Sequence, residues 1–186
     1  RLRLEEQSTA PDLFGVRLDS NAVALVLDVS GSMVELTRTP IRGETGPPRI
    51  DVALDEVERA VRSLAPTAEF NVVAFSDRIF PFEDEVQPAD PETKEAALEF
   101  VRDLRVNGGT NLFGALTTAF ADPTVDTLMI VSDGEPSMGP VVDSFASGAD
   151  WNAERGLVIH TIQIGTSLPV LTWISEDSGG STVTIP

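Results

Sequence analysis

Ala22-Val23-Ala24-Leu25-Val26-Leu27-Asp28-Val29-Ser30-Gly31-Ser32 is an apolar run that ends in a carboxylate and two hydroxyls. Six apolar residues in a row, four of them Val or Leu, predict a strand buried on both faces. Such a strand belongs to a parallel sheet covered by helices. Oxygens placed where it leaves the sheet suit a hard divalent cation. The same arrangement recurs at Thr127-Leu128-Met129-Ile130-Val131-Ser132-Asp133-Gly134. Between the two lies Gly108-Gly109-Thr110-Asn111, a glycine loop carrying a third hydroxyl.

Outward from these clusters, helix and strand patterns alternate. Ile50, Leu54, Val57, Val61 and Leu64 fall at three- and four-residue steps and predict a helix from about Ile50 to Leu64, ended by Pro66. Phe70 to Phe75 reads as a second buried strand. Arg78 to Phe82 reads as a short third strand after a Ser76-Asp77 turn. Helices are expected over Pro91 to Leu104, Asn111 to Phe120, residues 140 to 155 and Pro169 to Asp177. Leu157 to Ile164 and Ser181 to Ile185 complete the strands. The stretch Thr39 to Pro48, rich in Pro and Gly, has no apolar period and reads as a loop. Residues 1–15 read as a lead-in and 16–186 as one α/β domain, without internal repeats. Helices separating the strands imply right-handed crossovers and a doubly wound, mainly parallel sheet.

Composition narrows the function. The chain has 186 residues and a formal net charge of −17, with 13 basic side chains, of which Lys94 is the one lysine. Nucleic acid and anionic membrane surfaces are disfavoured, because phosphate contact needs clustered Lys and Arg. No apolar run is long enough to cross a bilayer, so direct membrane insertion is not expected. Cysteine is absent, which leaves the redox compartment unread. The chain starts at Arg1, so we expect a fragment or processed form of a longer protein, and no compartment is assigned. The one histidine, His160, sits in an apolar strand pattern and reads as a packed strand residue.

Ligands in open doubly wound sheets bind beyond the carboxyl ends of the strands, where strand order reverses. If the strands ending at Asp28 and Asp133 are neighbours, both acids meet the Gly-Gly-Thr loop there. Ser30 and Ser32, two apart, can turn both hydroxyls to one side. Hydroxyls ligate without cancelling charge, while two aspartates neutralise a divalent ion. An all-oxygen set of Asp28, Ser30, Ser32, Thr110 and Asp133 selects Mg²⁺, with Mn²⁺ or Ca²⁺ as alternatives, over Zn²⁺. Mg²⁺ would keep exchangeable waters, so a partner's carboxylate could enter. Each cluster alone also reads as a turn or helix cap. Their combination carries the metal reading.

These residues resemble a von Willebrand factor type A (VWA) domain in its bacterial form. Asp28-Val29-Ser30-Gly31-Ser32 is similar to that family's metal-ion-dependent adhesion motif. Thr110 in Gly-Gly-Thr-Asn-Leu and Asp133 in Ser-Asp-Gly-Glu-Pro match its remaining positions. Arg49 to Ala53, Phe70 to Ser76 and Ile159 to Gly165 resemble its first helix and core strands, so the likeness runs from about Val16 to Ile185. The resemblance implies a Rossmann-like, six-stranded sheet of order 3-2-1-4-5-6 with strand three antiparallel. It also implies a Mg²⁺-type ion that recruits an acidic side chain of a protein partner, as in cell adhesion. The loop from Val34 to Pro48 is longer than the family's usual link and is expected beside the metal. Glu135 and Asp77 read first as ordinary solvated acids, with a place on the rim of the binding face as the alternative. The alternatives are a subunit of an intracellular ATPase or chelatase assembly and, less favoured, a metal-dependent hydrolase. The hydrolase reading lacks an evident base, a nucleophile elbow and a phosphate loop.

Overall fold

Every residue of the run Ala22–Asp28 is buried, because helices cover the sheet on both sides. The structure, a computed structural model, describes residues 12–13, 15–17, 20–39, 44–134, 136–138 and 152–186. Within them the strands are β1 (Asp12–Leu13), β2 (Val16–Arg17), β3 (Ala22–Asp28), β4 (Leu36–Arg38), β5 (Thr45–Pro48), β6 (Glu69–Phe75), β7 (Ile79–Pro81), β8 (Gln87–Pro88), β9 (Thr127–Ser132), β10 (Val158–Ile164) and β11 (Thr182–Ile185). The helices are α1 (Arg49–Ser63), α2 (Pro91–Asp103), α3 (Leu112–Ala121) and α4 (Pro169–Asp177). The expected helix over residues 140 to 155 lies mostly outside the described residues; its last four, Asn152 to Arg155, form turns.

The main sheet runs β11-β10-β9-β3-β6-β7, with β7 antiparallel and the other pairings along this path parallel. This is the expected 3-2-1-4-5-6 order. One strand is added: β8 pairs antiparallel with β6 beside β7. Strand order reverses between β3 and β9, which pair in register from Val23↔Thr127 to Leu27↔Val131.

Alternation along the strands sorts side chains into two cores. Val23, Leu25 and Leu27, with Met129 and Val131, join Ala53, Val57 and Val61 of α1 and Ala97, Leu98 and Val101 of α2. Ala24 and Val26, with Leu128 and Ile130, join Leu112, Ala115 and Leu116 of α3 and Val170, Leu171 and Ile174 of α4. Period-two geometry in a doubly covered sheet makes both sets apolar, which is why β3 and β9 read as unbroken runs. Local capping fixes two helix starts. Asp90 accepts hydrogen bonds from the backbone N–H groups of Glu92 and Thr93, and Asn111 accepts one from Gly114.

The Pro/Gly-rich stretch departs from the expectation of a loop. β4 and β5 form an antiparallel ribbon, Leu36 opposite Pro48 and Arg38 opposite Thr45, with a register shift between. Proline donates no backbone hydrogen bond, so Pro47 and Pro48 fit a ribbon of only two strands. The Thr37 hydroxyl donates to the Pro47 carbonyl at 2.9 Å and ties the two together. The periodicity signal was weak because one strand is Thr-Gly-Pro-Pro. A second small ribbon pairs β1 with β2, and Val16 is buried in the α1 side of the core.

Candidate metal centre

Asp28 is the last residue of β3 and has no exposed surface. Its Oδ1 accepts the Ser30 backbone N–H at 2.8 Å, and its Oδ2 accepts the Ser132 hydroxyl. Burial pushes this carboxyl up to about 6; the bonds from Ser132 and Ser30 act against that rise, and the nearby charge of Asp133 adds to it. A buried acid of this kind is stabilised in its charged form by a cation.

Past Asp28 the chain turns through a single 3₁₀ turn at Gly31–Val34. The Ser30 and Ser32 hydroxyl oxygens stand 3.2 Å apart, in hydrogen-bond contact, so both face the same side. Ser32 also donates to Asp133 Oδ1 at 2.8 Å, across the β3–β9 boundary. Asp133 is itself buried. The Gly-Gly-Thr loop closes in from the α3 side: Gly31 N–H donates to the Gly108 carbonyl at 3.1 Å, and Asn107 N–H to that of Val29 at 3.0 Å. Gly108 has φ of +77°, a backbone conformation that favours glycine, and a Cβ there would stand 2.5 Å from Asp77 Oδ1. Thr110 is buried and clamped. Its N–H donates to the Ser137 hydroxyl, and its carbonyl accepts from the N–H groups of Ser137 and Met138. The Ser32 and Thr110 hydroxyls both lie within 4 Å of the point where a Cβ on Gly134 would stand.

The five residues expected as ligands therefore lie together beyond the carboxyl ends of β3 and β9. Asp77 is exposed and packs against Gly108; Glu135 lies outside the described residues. His160 is half-buried in mid-β10, where its Nδ1 accepts the Ser181 N–H at 3.1 Å, and burial holds its imidazole below the ordinary range. Among the described residues no cluster of three or more His, Cys, Asp or Glu side chains forms a cation cage. A cation here would depend on hydroxyls beside two carboxylates. That donor set fits a hard ion.

Two residues escaped the sequence reading. Ser132 braces Asp28. Arg49, the first residue of α1, reaches the centre itself: its Nη1 stands 2.6 Å from Asp133 Oδ2 and its Nη2 3.0 Å from the Glu35 carboxylate. Gly165, at φ +91°, makes room for it, since a Cβ there would stand 2.7 Å from Arg49 Nε. The only available signal was that Arg49 opens a helix, where the dipole disfavours a cation.

An α/β domain with a polar centre at its topological switch point is the class this geometry defines. The family model for the von Willebrand factor type A domain matches residues 21–183, and the chain belongs to that family. Domains of this family generally mediate protein–protein interactions and commonly bind a divalent metal. The chain is 25% identical over 135 residues to human von Willebrand factor A domain-containing protein 3B, a match covering 72% of this chain and 9% of that protein. It thus spans a small part of that curated relative. A von Willebrand factor type A structure from Catenulispora acidiphila superimposes with a TM-score of 0.73 at 21% identity, covering 91% of this chain and 39% of that one. The conserved hypothetical protein BatB from Bacteroides thetaiotaomicron superimposes at 0.66 with 18% identity, covering 88% and 89%. At these identities the structural likeness concerns the fold. Among the described residues no helix is long and apolar enough to cross a membrane.

Proposed function

We propose that this domain is a metal-dependent protein-binding module, and that residues 16–186 form it as one unit with 1–15 as a lead-in. Asp28, Ser30, Ser32, Thr110 and Asp133 would hold a divalent cation, Mg²⁺ foremost, and a protein partner would supply an acidic side chain to it. The observation that supports this reading is the convergence of the Ser30, Ser32 and Asp133 oxygens, linked at 3.2 and 2.8 Å, beside a buried Asp28. Bound there, the ion supplies Lewis acidity toward a carboxylate. The chain's own residues orient the donors, and both Asp28 and Thr110 are buried.

Recognition rather than turnover is the reading favoured by the residue types. The single histidine sits mid-strand and the chain has no cysteine, so neither supplies a base or nucleophile at the strand ends. Exposed apolar side chains near these loops, Val34, Leu36 and Met138, add contact surface of the kind a protein partner uses. The test is calorimetric titration of Mg²⁺ into metal-stripped protein, with Asp28→Ala as control. One-site binding lost in the variant supports the assignment; equal heats in both proteins remove it.

A further inference from the structure

Arg49 places a fixed positive charge where a cation site would have none. The guanidinium bridges Asp133 and Glu35, and its side chain is 14% exposed. Its Nε is buried without a hydrogen-bond partner among the described residues. Gly165 leaves the space it fills. The backbone agrees: Arg49 N–H donates to the Glu35 carbonyl at 2.9 Å, so the 3₁₀ turn and α1 are joined at this residue.

Asp133 is thereby shared between two claims. Oδ1 faces the Ser32 hydroxyl and the ligand cluster, while Oδ2 is held by Arg49. A divalent ion on one oxygen and a guanidinium on the other are like charges a few ångströms apart in a buried setting, where repulsion is poorly screened. In the cation-free protein the same guanidinium stabilises the centre, since two buried aspartates there would otherwise repel each other. Glu35, 63% exposed on its side chain, gives the guanidinium a second anion to rest on.

We propose that Arg49 is a resident cation: it stands in for the divalent ion in the metal-free domain and lowers that ion's affinity by competing for Asp133. The idea rests on the metal-centre reading above. It makes the domain folded and soluble without metal, and it sets loading to higher cation concentrations than the oxygens alone would require.

The test pairs melting in EDTA with Mg²⁺ calorimetry at constant ionic strength, on wild type, Arg49→Met, Arg49→Gln and Arg49→Lys. Removing the charge should lower the melting temperature in EDTA yet tighten Mg²⁺ binding by about tenfold or more. Saturating Mg²⁺ should then close the melting gap. Arg49→Lys, which keeps the charge, should bind Mg²⁺ within about threefold of wild type. A neutral variant that folds only with Mg²⁺ present also supports the proposal. If both neutral variants bind Mg²⁺ as weakly as wild type or more weakly, Arg49 merely positions Asp133 and the proposal fails. If none of the four proteins binds Mg²⁺, the metal-centre reading fails and takes this one with it.

Discussion

The Ser32 hydroxyl donates to Asp133 Oδ1 at 2.8 Å across a separation of 101 residues, so one hydrogen bond joins the loops that follow β3 and β9. Asp133 is buried, and the loss of this donor would leave a charged oxygen short of a partner. Ser32→Ala should therefore cost about 1–3 kcal/mol in metal-free protein. On the proposed assignment it should also weaken Mg²⁺ binding, because it removes one of the donors. Chemical denaturation in EDTA and calorimetry check the two effects separately. Unchanged values in both would show the bond to be incidental.

Gly165 is a second sensitive point, far in sequence from every proposed ligand. At φ +91°, with Arg49 filling the place of a side chain, Gly165→Ala strains the backbone and displaces the guanidinium. The cost should be about 1–3 kcal/mol. In an Arg49→Ala background the steric share should disappear while the backbone share remains. Additive losses in the double variant would mean that the guanidinium does not occupy that space.

His160 gives a pH dependence whose sign is fixed. Burial lowers its pKa from the ordinary value, so the unfolded chain takes up the proton more readily than the folded one. Stability should accordingly be fully present above the ordinary histidine range and be lost as pH falls through and below it. Protonation would also end the acceptance of the Ser181 N–H by Nδ1. Asp28, raised to about 6, shifts metal-free stability the opposite way over a neighbouring range. The difference between wild type and His160→Gln isolates the histidine. That difference should change between about pH 7.5 and about pH 5; a constant offset would contradict it.

Packing makes the plainest prediction. Leu27 is fully buried at the carboxyl end of β3, directly before Asp28. Leu27→Ala should cost about 2–5 kcal/mol, whereas Leu36→Ala, at an exposed position, should stay within about 0.5 kcal/mol. Urea midpoints with matched slopes decide this.

Legibility followed the physics of each segment. β3 and β9 were readable because burial on both faces demands unbroken apolar runs. The strand order and the antiparallel third strand came with the family resemblance. Asp28, Ser30 and Ser32 were readable because polar atoms directly after such a run are conspicuous. The β4–β5 ribbon was not, since Thr-Gly-Pro-Pro carries neither alternation nor strand propensity, and a hydroxyl-to-carbonyl bond holds it instead. β8 was missed because two residues cannot show a period. Arg49 was hidden for another reason. Its role depends on Gly165 and Asp133, both distant in sequence, and only the folded sheet brings all three together.

Oxygens from the loops after β3, before α3 and after β9 should share one cation. Crystals grown with Mn²⁺ and measured at its absorption edge would locate it. One strong anomalous peak is expected within direct coordination distance of the Ser30 and Ser32 hydroxyl oxygens and beside Thr110. Ion density confined to other acids on the surface, with the Arg49–Asp133 pair unchanged and no peak at the serines, would contradict it.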